Sequence, residues 1–230
     1  MTSSLAAFDR RARLDAISIV VLCVLFAVAV WWWLPHDALM RLTDEKGPVE
    51  QGSALLYFVA AAYVLVDGVP QATPSLRLPL SIALFGFGAR ELDLHKAFTD
   101  TSVLKVSFYL GDAPWAHKLL ALAVVLSVLA ALGTLLIRYT HRVWQGLRQG
   151  HPVSVTVAVF AVTVVVAKIF DRSRMVLLED FGIDVGESLG DLLISLEETL
   201  ELGLPLIVMV GPLRLRRRIQ RAANTVSTPV

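Results

Sequence analysis

Long apolar runs take up most of this chain and constrain its fold more than any other feature. A helix needs about 20 largely apolar residues to cross a hydrocarbon core of roughly 30 Å. Six segments of about that length are separated by short connections: 16–34, 52–69, 78–97, 116–137, 153–170 and 192–213. Only 18% of the residues are charged, against about 25% in a typical soluble domain. The sequence therefore predicts an all-α, polytopic transmembrane helical bundle of about six spans.

The six segments and their connections use nearly the whole chain, which leaves no stretch for a separate soluble domain. We therefore expect a single transmembrane helical domain over residues 1–230. The arginines that follow the sixth span, from Arg214 to Arg221, predict a basic cytoplasmic tail over 214–230 that is partly disordered. The single cysteine, Cys23, lies inside the first apolar run and excludes an intramolecular disulfide.

The distribution of charge along the chain predicts its orientation. With a cytoplasmic N-terminus, the cytoplasmic segments hold twelve basic residues and three acids, and the opposite side holds nine basic residues and seventeen acids. Because cytoplasmic segments of membrane proteins carry an excess of lysine and arginine, both termini are expected in the cytoplasm. The net charge of +1 gives no reason to expect a nucleic-acid partner. The expected partners are membrane lipids and, in a homo-oligomer, further copies of the chain.

The third span ends in a group of charged residues. Ionisable side chains inside a bilayer are costly unless they are paired or hydrated. If this helix continues to residue 97, then Arg90, Glu91, Asp93 and His95 lie within the outer third of the membrane. Glu91 and His95 then share one helix face, where a carboxylate and an imidazole can hold a metal ion or transfer a proton. In the alternative interpretation the helix ends at Arg90, and these residues form a solvated charged cap.

Three acids stand near the start of the sixth span. Glu197, Glu198 and Glu201 fall within five residues and are followed by twelve residues without a charge. Glu197 and Glu201 share a helix face. Pro205 has no N–H, so it frees the Glu201 carbonyl to add an oxygen ligand or allows a kink. Three acids in this position predict either a binding site or ion pairs with basic residues of other helices.

Basic partners for these acids are available, foremost Lys168 in the fifth span, and Glu50 precedes the second span on the same side. Glu91, His95 and Glu201 are candidate metal ligands, and a single deep histidine suits a divalent metal with oxygen ligands as well as zinc. The candidate polar cluster in the outer half of the bilayer therefore comprises Glu50, Arg90, Glu91, Asp93, His95, Lys168, Glu197, Glu198 and Glu201.

One stretch of the sequence resembles a known group of proteins. The run from Asp44 to Leu56, Asp-Glu-Lys-Gly-Pro-Val-Glu-Gln-Gly-Ser-Ala-Leu-Leu, is similar to the segment before the second span in a group of uncharacterised bacterial multi-span proteins. That group also tends to show a charged end to the third span, as in Arg90-Glu-Leu-Asp93 here. The resemblance implies a bacterial inner (plasma) membrane protein and carries no activity, cofactor or catalytic residue with it.

Three functions are compatible with the sequence. The outer-half charges can line a site that binds or transports an ion, a proton or a small polar solute, which is the usual role of intramembrane ionisable residues. They can instead serve an intramembrane metal-dependent hydrolase or transferase acting on a lipid. They can also be structural ion pairs of a subunit in a membrane complex. The chain contains no HExxH, GxSxG or CxxC motif and no phosphate-binding glycine loop, so no enzyme class is indicated by signature.

Overall fold

The computed structural model describes residues 2–44, 47–66, 74–94, 96 and 102–226 and, among these, the side chains from Leu14 to Val210 except that of Pro74. Every element that these residues form is a helix, which confirms the all-α prediction. The helices are α1 (Thr2–Trp33), α2 (His36–Thr43), α3 (Pro48–Val66), α4 (Pro74–Glu91), α5 (Val106–Leu110), α6 (Trp115–Arg148), α7 (Pro152–Glu179) and α8 (Gly186–Val226).

Four segments of the described chain are long and apolar enough to cross a membrane: Leu14–Trp33, His36–Val66, Trp115–Arg148 and Pro152–Glu179. They correspond to the predicted spans one, two, four and five, although the first two end earlier than predicted, at Trp33 and Val66. The predicted third and sixth spans also fold as helices, α4 and α8, but each is richer in charge. Every stretch of 18 residues in α4 and in the apolar part of α8 carries at least three charged residues. The composition thus supports a membrane protein with four candidate spans among the described residues.

The described residues fall into two compact units. The first comprises Met1–Ser53 and Val143–Val230, and the second comprises Ala54–Arg142. In the first unit, α1, α7 and α8 pack against one another, and α2 packs against α8.

Helices α1 and α8 run antiparallel within the first unit. Three contacts, in chain order along α1, join Cys23 to Gly203, Ala27 to Ser195 and Trp31 to Ser188. As the residue number increases along α1, the residue number of the contact on α8 decreases. Ala27 and Ser195 are fully buried, and the Ser195 hydroxyl donates to the Ala27 carbonyl at 3.2 Å. Small side chains let the two backbones approach closely, as is typical of helix pairs in membranes.

Helices α7 and α8 are also antiparallel. The Arg174 guanidinium lies beside Gly190, and Lys168, further back along α7, reaches Glu201, further along α8. The C-terminal parts of α1 and α7 and the N-terminal half of α8 therefore share one end of the first unit. Most of the polar contacts between these three helices lie at that end.

In the second unit, α4 packs against both α3 and α6. The Ser81 hydroxyl of α4 donates to the Ala61 carbonyl of α3 at 2.9 Å. Gly88 is in close contact with α3 at Tyr57, and Gly86 is in close contact with Val128 of α6. The two glycines, spaced two residues apart, allow one short helix to approach two neighbours.

The predicted continuation of the third helix to residue 97 is wrong, because α4 ends at Glu91. The Leu94 N–H donates to the Ala89 carbonyl at 2.9 Å, and Asp93 adopts a φ of 52°. A left-handed residue just past the last turn, with such a hydrogen bond, is a common way to end a helix. The interpretation with a charged cap after Arg90 therefore agrees with the structure.

The last helix begins earlier than its local sequence pattern indicates. The run from Ser188 to Asp191 has the form of a capping box, with Ser188 before the first turn. In the structure α8 already begins at Gly186, whose φ is 69°, and the Asp184 carboxylate accepts the Gly186 N–H at 3.0 Å. Ser188 and Asp191 consequently lie within the helix, where Asp191 makes a different contact.

Candidate functional site

The side-chain amine of Lys168 lies among three carboxylates in the first unit. Its Nζ is 2.8 Å from Glu201 Oε1, 3.1 Å from Asp171 Oδ2 and 3.7 Å from Glu197 Oε1. We call these four residues the lysine–acid cluster. Its formal charge is −2 when all four groups are ionised, so the single ammonium does not balance the acids within it.

The local helix geometry explains why these residues meet. Asp171 follows Lys168 by three residues on α7, and Glu201 follows Glu197 by four on α8, so each pair shares one face of its helix. The antiparallel packing of α7 and α8 brings the two faces together. The acids of α8 are the more enclosed partners, since the side chain of Glu201 is 11% exposed and that of Glu197 is 17% exposed, against 36% for Lys168.

The backbone of α8 is also polar at this point. Pro205 has no N–H, so the Glu201 carbonyl has no partner one turn later in the helix. The buried hydroxyl of Ser53, on the first part of α3, is directed at this carbonyl at 3.4 Å. The Ser53 hydroxyl thus takes the place of the missing helix N–H at this carbonyl.

A second group of polar contacts links α2 to the start of α8. The Nδ1 of His36 lies 3.0 and 2.9 Å from the two carboxylate oxygens of Asp191, and its Nε2 lies 3.3 Å from Glu187 Oε1. An imidazolium donates from both ring nitrogens, so the charged form of His36 serves both acids at once. The Trp31 indole N–H donates to the Ser188 carbonyl at 2.8 Å and joins α1 to the same turn of α8.

The structure brings together three of the residues predicted for the polar cluster, namely Lys168, Glu197 and Glu201. Glu198 directly follows Glu197 on α8 and is half-buried. Glu50 is half-buried in the first turn of α3, in the same unit. Both make interactions of their own.

The charged end of the predicted third span belongs to the second unit. Arg90 and Glu91 form the last turn of α4, and Asp93 follows it. Asp93 pairs with Lys96, with 2.9 Å between the carboxylate and Nζ. His95 lies outside the described residues, so the proposed pairing of Glu91 with His95 stays a prediction.

Within the described part of the chain, no three histidine, cysteine, aspartate or glutamate side chains come together in a way that could hold a metal ion. The predicted ligand set of Glu91, His95 and Glu201 includes the undescribed His95 and is therefore not tested by this finding.

Sequence reasoning missed the contact between His36 and Asp191. The two residues are 155 positions apart, and nothing in the local pattern around either one points to the other. One sequence signal was available: Pro35 and His36 follow three tryptophans and Leu34, and a run of tryptophans is typical of a membrane–water interface, where polar side chains meet neighbouring helix ends.

No family model, curated protein or solved structure matches this chain. The resemblance to bacterial multi-span proteins in the segment before α3 therefore identifies no specific family.

Replacing His36 with alanine is expected to loosen α2 from α8. The substitution removes the partner of Asp191, whose side chain is only 12% exposed, and a lost hydrogen bond to a mostly buried group costs on the order of 1–3 kcal/mol. The melting temperature in detergent, followed by tryptophan fluorescence, should fall by several degrees. The neighbouring Asp37→Asn variant removes a charge from the same helix turn and should change the melting temperature far less. Equal effects of the two substitutions would contradict this role for His36.

Proposed function

We propose that this chain is a bacterial inner-membrane protein of one six-span domain with both termini in the cytoplasm, and that the lysine–acid cluster binds and transports a proton or a small cation. The observation that carries the proposal is the single ammonium of Lys168 set against three carboxylates, two of them largely enclosed. An excess of acids in such surroundings favours uptake of positive charge, because a group of unbalanced carboxylates is costly in a low-dielectric medium.

The position of the cluster along its helices supports this proposal. Lys168 lies sixteen residues beyond Pro152, which is about 24 Å along α7 and within a hydrocarbon core of roughly 30 Å. The orientation bias of the arginines supports cytoplasmic termini, and α8 is then the sixth span, antiparallel to α1 and α7. The tethered amine of Lys168 would act as a resident cation that an incoming cation or proton displaces from Glu201.

A flux assay tests the transport proposal. Purified protein is reconstituted into vesicles that contain a pH-sensitive dye, and a sodium or potassium gradient is imposed across the membrane. We expect a protein-dependent change of internal pH that Glu201→Gln abolishes, because this substitution removes the acid closest to Lys168. The matched control is Glu179→Gln, an exposed glutamate at the end of α7, which should retain the flux.

Absence of any flux above that of protein-free vesicles, or equal flux in the Glu201→Gln variant, would contradict the proposal. A structural role for the same ion pairs is favoured by the short distance of 2.8 Å between Lys168 and Glu201. In that case the exchange variant Lys168→Glu with Glu201→Lys should recover stability, and neither it nor the wild type should carry flux.

A further inference from the structure

The pattern of charge along α6 indicates where its ends lie relative to a bilayer. Residues 119–137 form a run of 19 residues without a charged side chain. Such a run is about 28 Å long as a helix, close to the thickness of a hydrocarbon core of roughly 30 Å. Lys118 directly precedes the run and Arg138 directly follows it. If α6 crosses the membrane, as its composition allows, these two residues mark the two boundaries of the core.

The Lys118 side chain extends away from the charge-free run. Its ammonium donates to the Gly111 carbonyl at 2.6 Å and lies 5.1 Å from the centre of the Trp115 ring. Both partners precede Lys118 in the chain, so the side chain extends back past the first turn of α6. A lysine at the end of a span keeps its charge out of the hydrocarbon in this way, and tryptophan is enriched at the same level of the membrane.

The same hydrogen bond fixes the depth of the segment before α6. Because Lys118 reaches Gly111, the Gly111 backbone lies within one lysine side chain of the core boundary. Helix α5 ends at Leu110, directly before Gly111, and its five residues rise only about 7 Å. The polar interface of a bilayer is itself about 5–7 Å thick on each side of the core. The whole of α5 therefore lies in the interface or directly beside it.

Helix α5 carries exposed apolar side chains at this depth. Phe108 is buried, so one side of the helix turn is covered. Val106 and Leu110, which are four residues apart and share another face, are 71% and 82% exposed. Leu104 is also exposed. Contact with water disfavours such side chains, and contact with acyl chains removes that cost.

The charges of residues 104–118 suit a lipid surface. Lys105 and Asp112 are exposed and Lys118 is half-buried. With His117 neutral, two lysines stand against one aspartate, which leaves one positive charge in excess. Basic side chains are attracted to anionic lipid headgroups, but a single excess charge contributes little. Insertion of apolar side chains must therefore provide most of the affinity.

A second protein is a less suitable partner for this surface. At the depth of the core boundary, the apolar side chains of α5 are next to lipid, and a protein would have to displace acyl chains from them. Because acyl chains are as apolar as leucine, that exchange gains no hydrophobic free energy. Lipid is therefore the partner that the depth and the apolar character of the segment favour.

We propose that residues 104–118, which we call the interfacial segment, anchor this chain in the bilayer interface. Leu104, Val106 and Leu110 insert among the acyl chains directly below the headgroups, and Trp115 and Lys118 lie at the level of the lipid phosphates. The proposal requires that α6 crosses the membrane. It does not depend on cation transport by the lysine–acid cluster.

Site-directed spin labelling in lipid vesicles tests this placement. All variants carry Cys23→Ala, which removes the native cysteine, and a nitroxide is attached to one new cysteine in each. Collisions with oxygen, which concentrates among acyl chains, and with a water-soluble nickel complex, which is excluded from them, measure the depth of the label. Labels are placed in separate variants at Leu104→Cys, Val106→Cys, Leu110→Cys and Asp112→Cys.

Two further labels calibrate the depth. Leu126→Cys, at an exposed residue in the middle of the charge-free run, gives the reference for lipid, and Gln149→Cys, in the exposed connection between α6 and α7, gives the reference for water. We expect the ratio of oxygen to nickel collisions at Val106→Cys and Leu110→Cys to be about fivefold above the water reference, because the apolar region excludes the polar reagent. Both labels should stay clearly below Leu126→Cys, and Asp112→Cys should be closer to water. The depths should be the same in zwitterionic and in anionic vesicles.

Several results would overturn the proposal. Labels on α5 at the water reference, with Leu126→Cys in lipid, would leave α6 as a span but exclude the anchor. Labels on α5 as deep as Leu126→Cys would indicate a segment that re-enters the core, and few collisions with either reagent would indicate a cover of protein. Insertion that is lost in zwitterionic vesicles would contradict a mainly apolar anchor. If Leu126→Cys itself is at the water reference, α6 does not cross the membrane and the proposal fails with it.

A double substitution gives an independent measurement. Replacing Val106 and Leu110 together with serine removes the apolar face of α5 and retains the buried Phe108. The label on Leu104→Cys should then move to the water reference, while a label on Leu126→Cys should stay in lipid. Ile137→Ser, at an exposed residue at the opposite end of the charge-free run, is the matched control and should leave the Leu104→Cys label unchanged. An unchanged label in the double variant would show that these side chains do not hold the segment in the interface.

Discussion

Replacing Lys168 with methionine is expected to lower the melting temperature of the protein by about 5–10 °C, the largest effect of any single charge removal. Methionine has nearly the same length as lysine but no charge, so the variant leaves Asp171, Glu197 and Glu201 facing one another. Removing one partner of a buried ion pair costs 3–5 kcal/mol, and the partial exposure of Lys168 reduces the expected cost to roughly 2–3 kcal/mol.

The matched control for this prediction is Arg172→Met, which removes a positive charge from an exposed position on the same helix. Its melting temperature should stay within about 2 °C of the wild type, because exposed charges contribute little to stability. In the exchange variant Lys168→Glu with Glu201→Lys, part of the lost stability should return. A Lys168→Met variant as stable as Arg172→Met would show that the cluster does not hold α7 and α8 together.

Replacing Gly203 with alanine is expected to destabilise the first unit by roughly 1–3 kcal/mol, the range found for overpacked positions in helical cores. A Cβ at this position would lie 2.8 Å from Cys23 Sγ, closer than real carbon–sulfur contacts allow. Either the Cys23 side chain must rotate or α1 and α8 must separate. Both responses disturb the neighbouring contact between Ser195 and Ala27.

A second substitution separates this clash from a general effect of alanine. Cys23→Ala removes the sulfur and leaves 3.9 Å between the new Cβ and the Cβ of residue 23, an ordinary van der Waals distance. The double variant should therefore be clearly more stable than Gly203→Ala alone, as measured by thermal unfolding in the same detergent. Gly133→Ala, at a helical glycine with open space around its Cβ position, should be neutral or slightly stabilising. A double variant no more stable than Gly203→Ala would contradict close packing of α1 on α8 at this site.

The apolar runs predicted the helices well, because a span must satisfy all of its backbone hydrogen bonds internally. All six predicted spans overlap helices of the described chain, and four of these helical segments meet the apolar criterion for crossing a membrane. The positions at which the helices end were harder to predict. The end of α4 depends on a left-handed backbone conformation at Asp93. Because aspartate adopts this conformation only occasionally, its presence in the sequence does not predict the end of a helix.

Only the part of the candidate site that depends on helix periodicity and charge was predicted from the sequence. The spacing of Glu197 and Glu201 placed them on one face of α8, and Lys168 was the nearest basic residue in the neighbouring span, so their pairing followed from helix periodicity and charge. The contact of His36 with Asp191 depends instead on which helices pack together. Periodicity within one helix contains no information about that choice.

The antiparallel pairing of α1 with α8 has a consequence for how the protein is made. Ala27 and Ser195 are 168 residues apart, and ribosomes add roughly 5–20 residues per second, so α1 waits on the order of 10–30 s in the membrane before its partner is synthesised. During that interval the face of α1 that later contacts α8 is open to lipid or to the insertion machinery. A stall or truncation before α8 would therefore leave the earliest helix without its final neighbour and make it a target for membrane quality-control proteases.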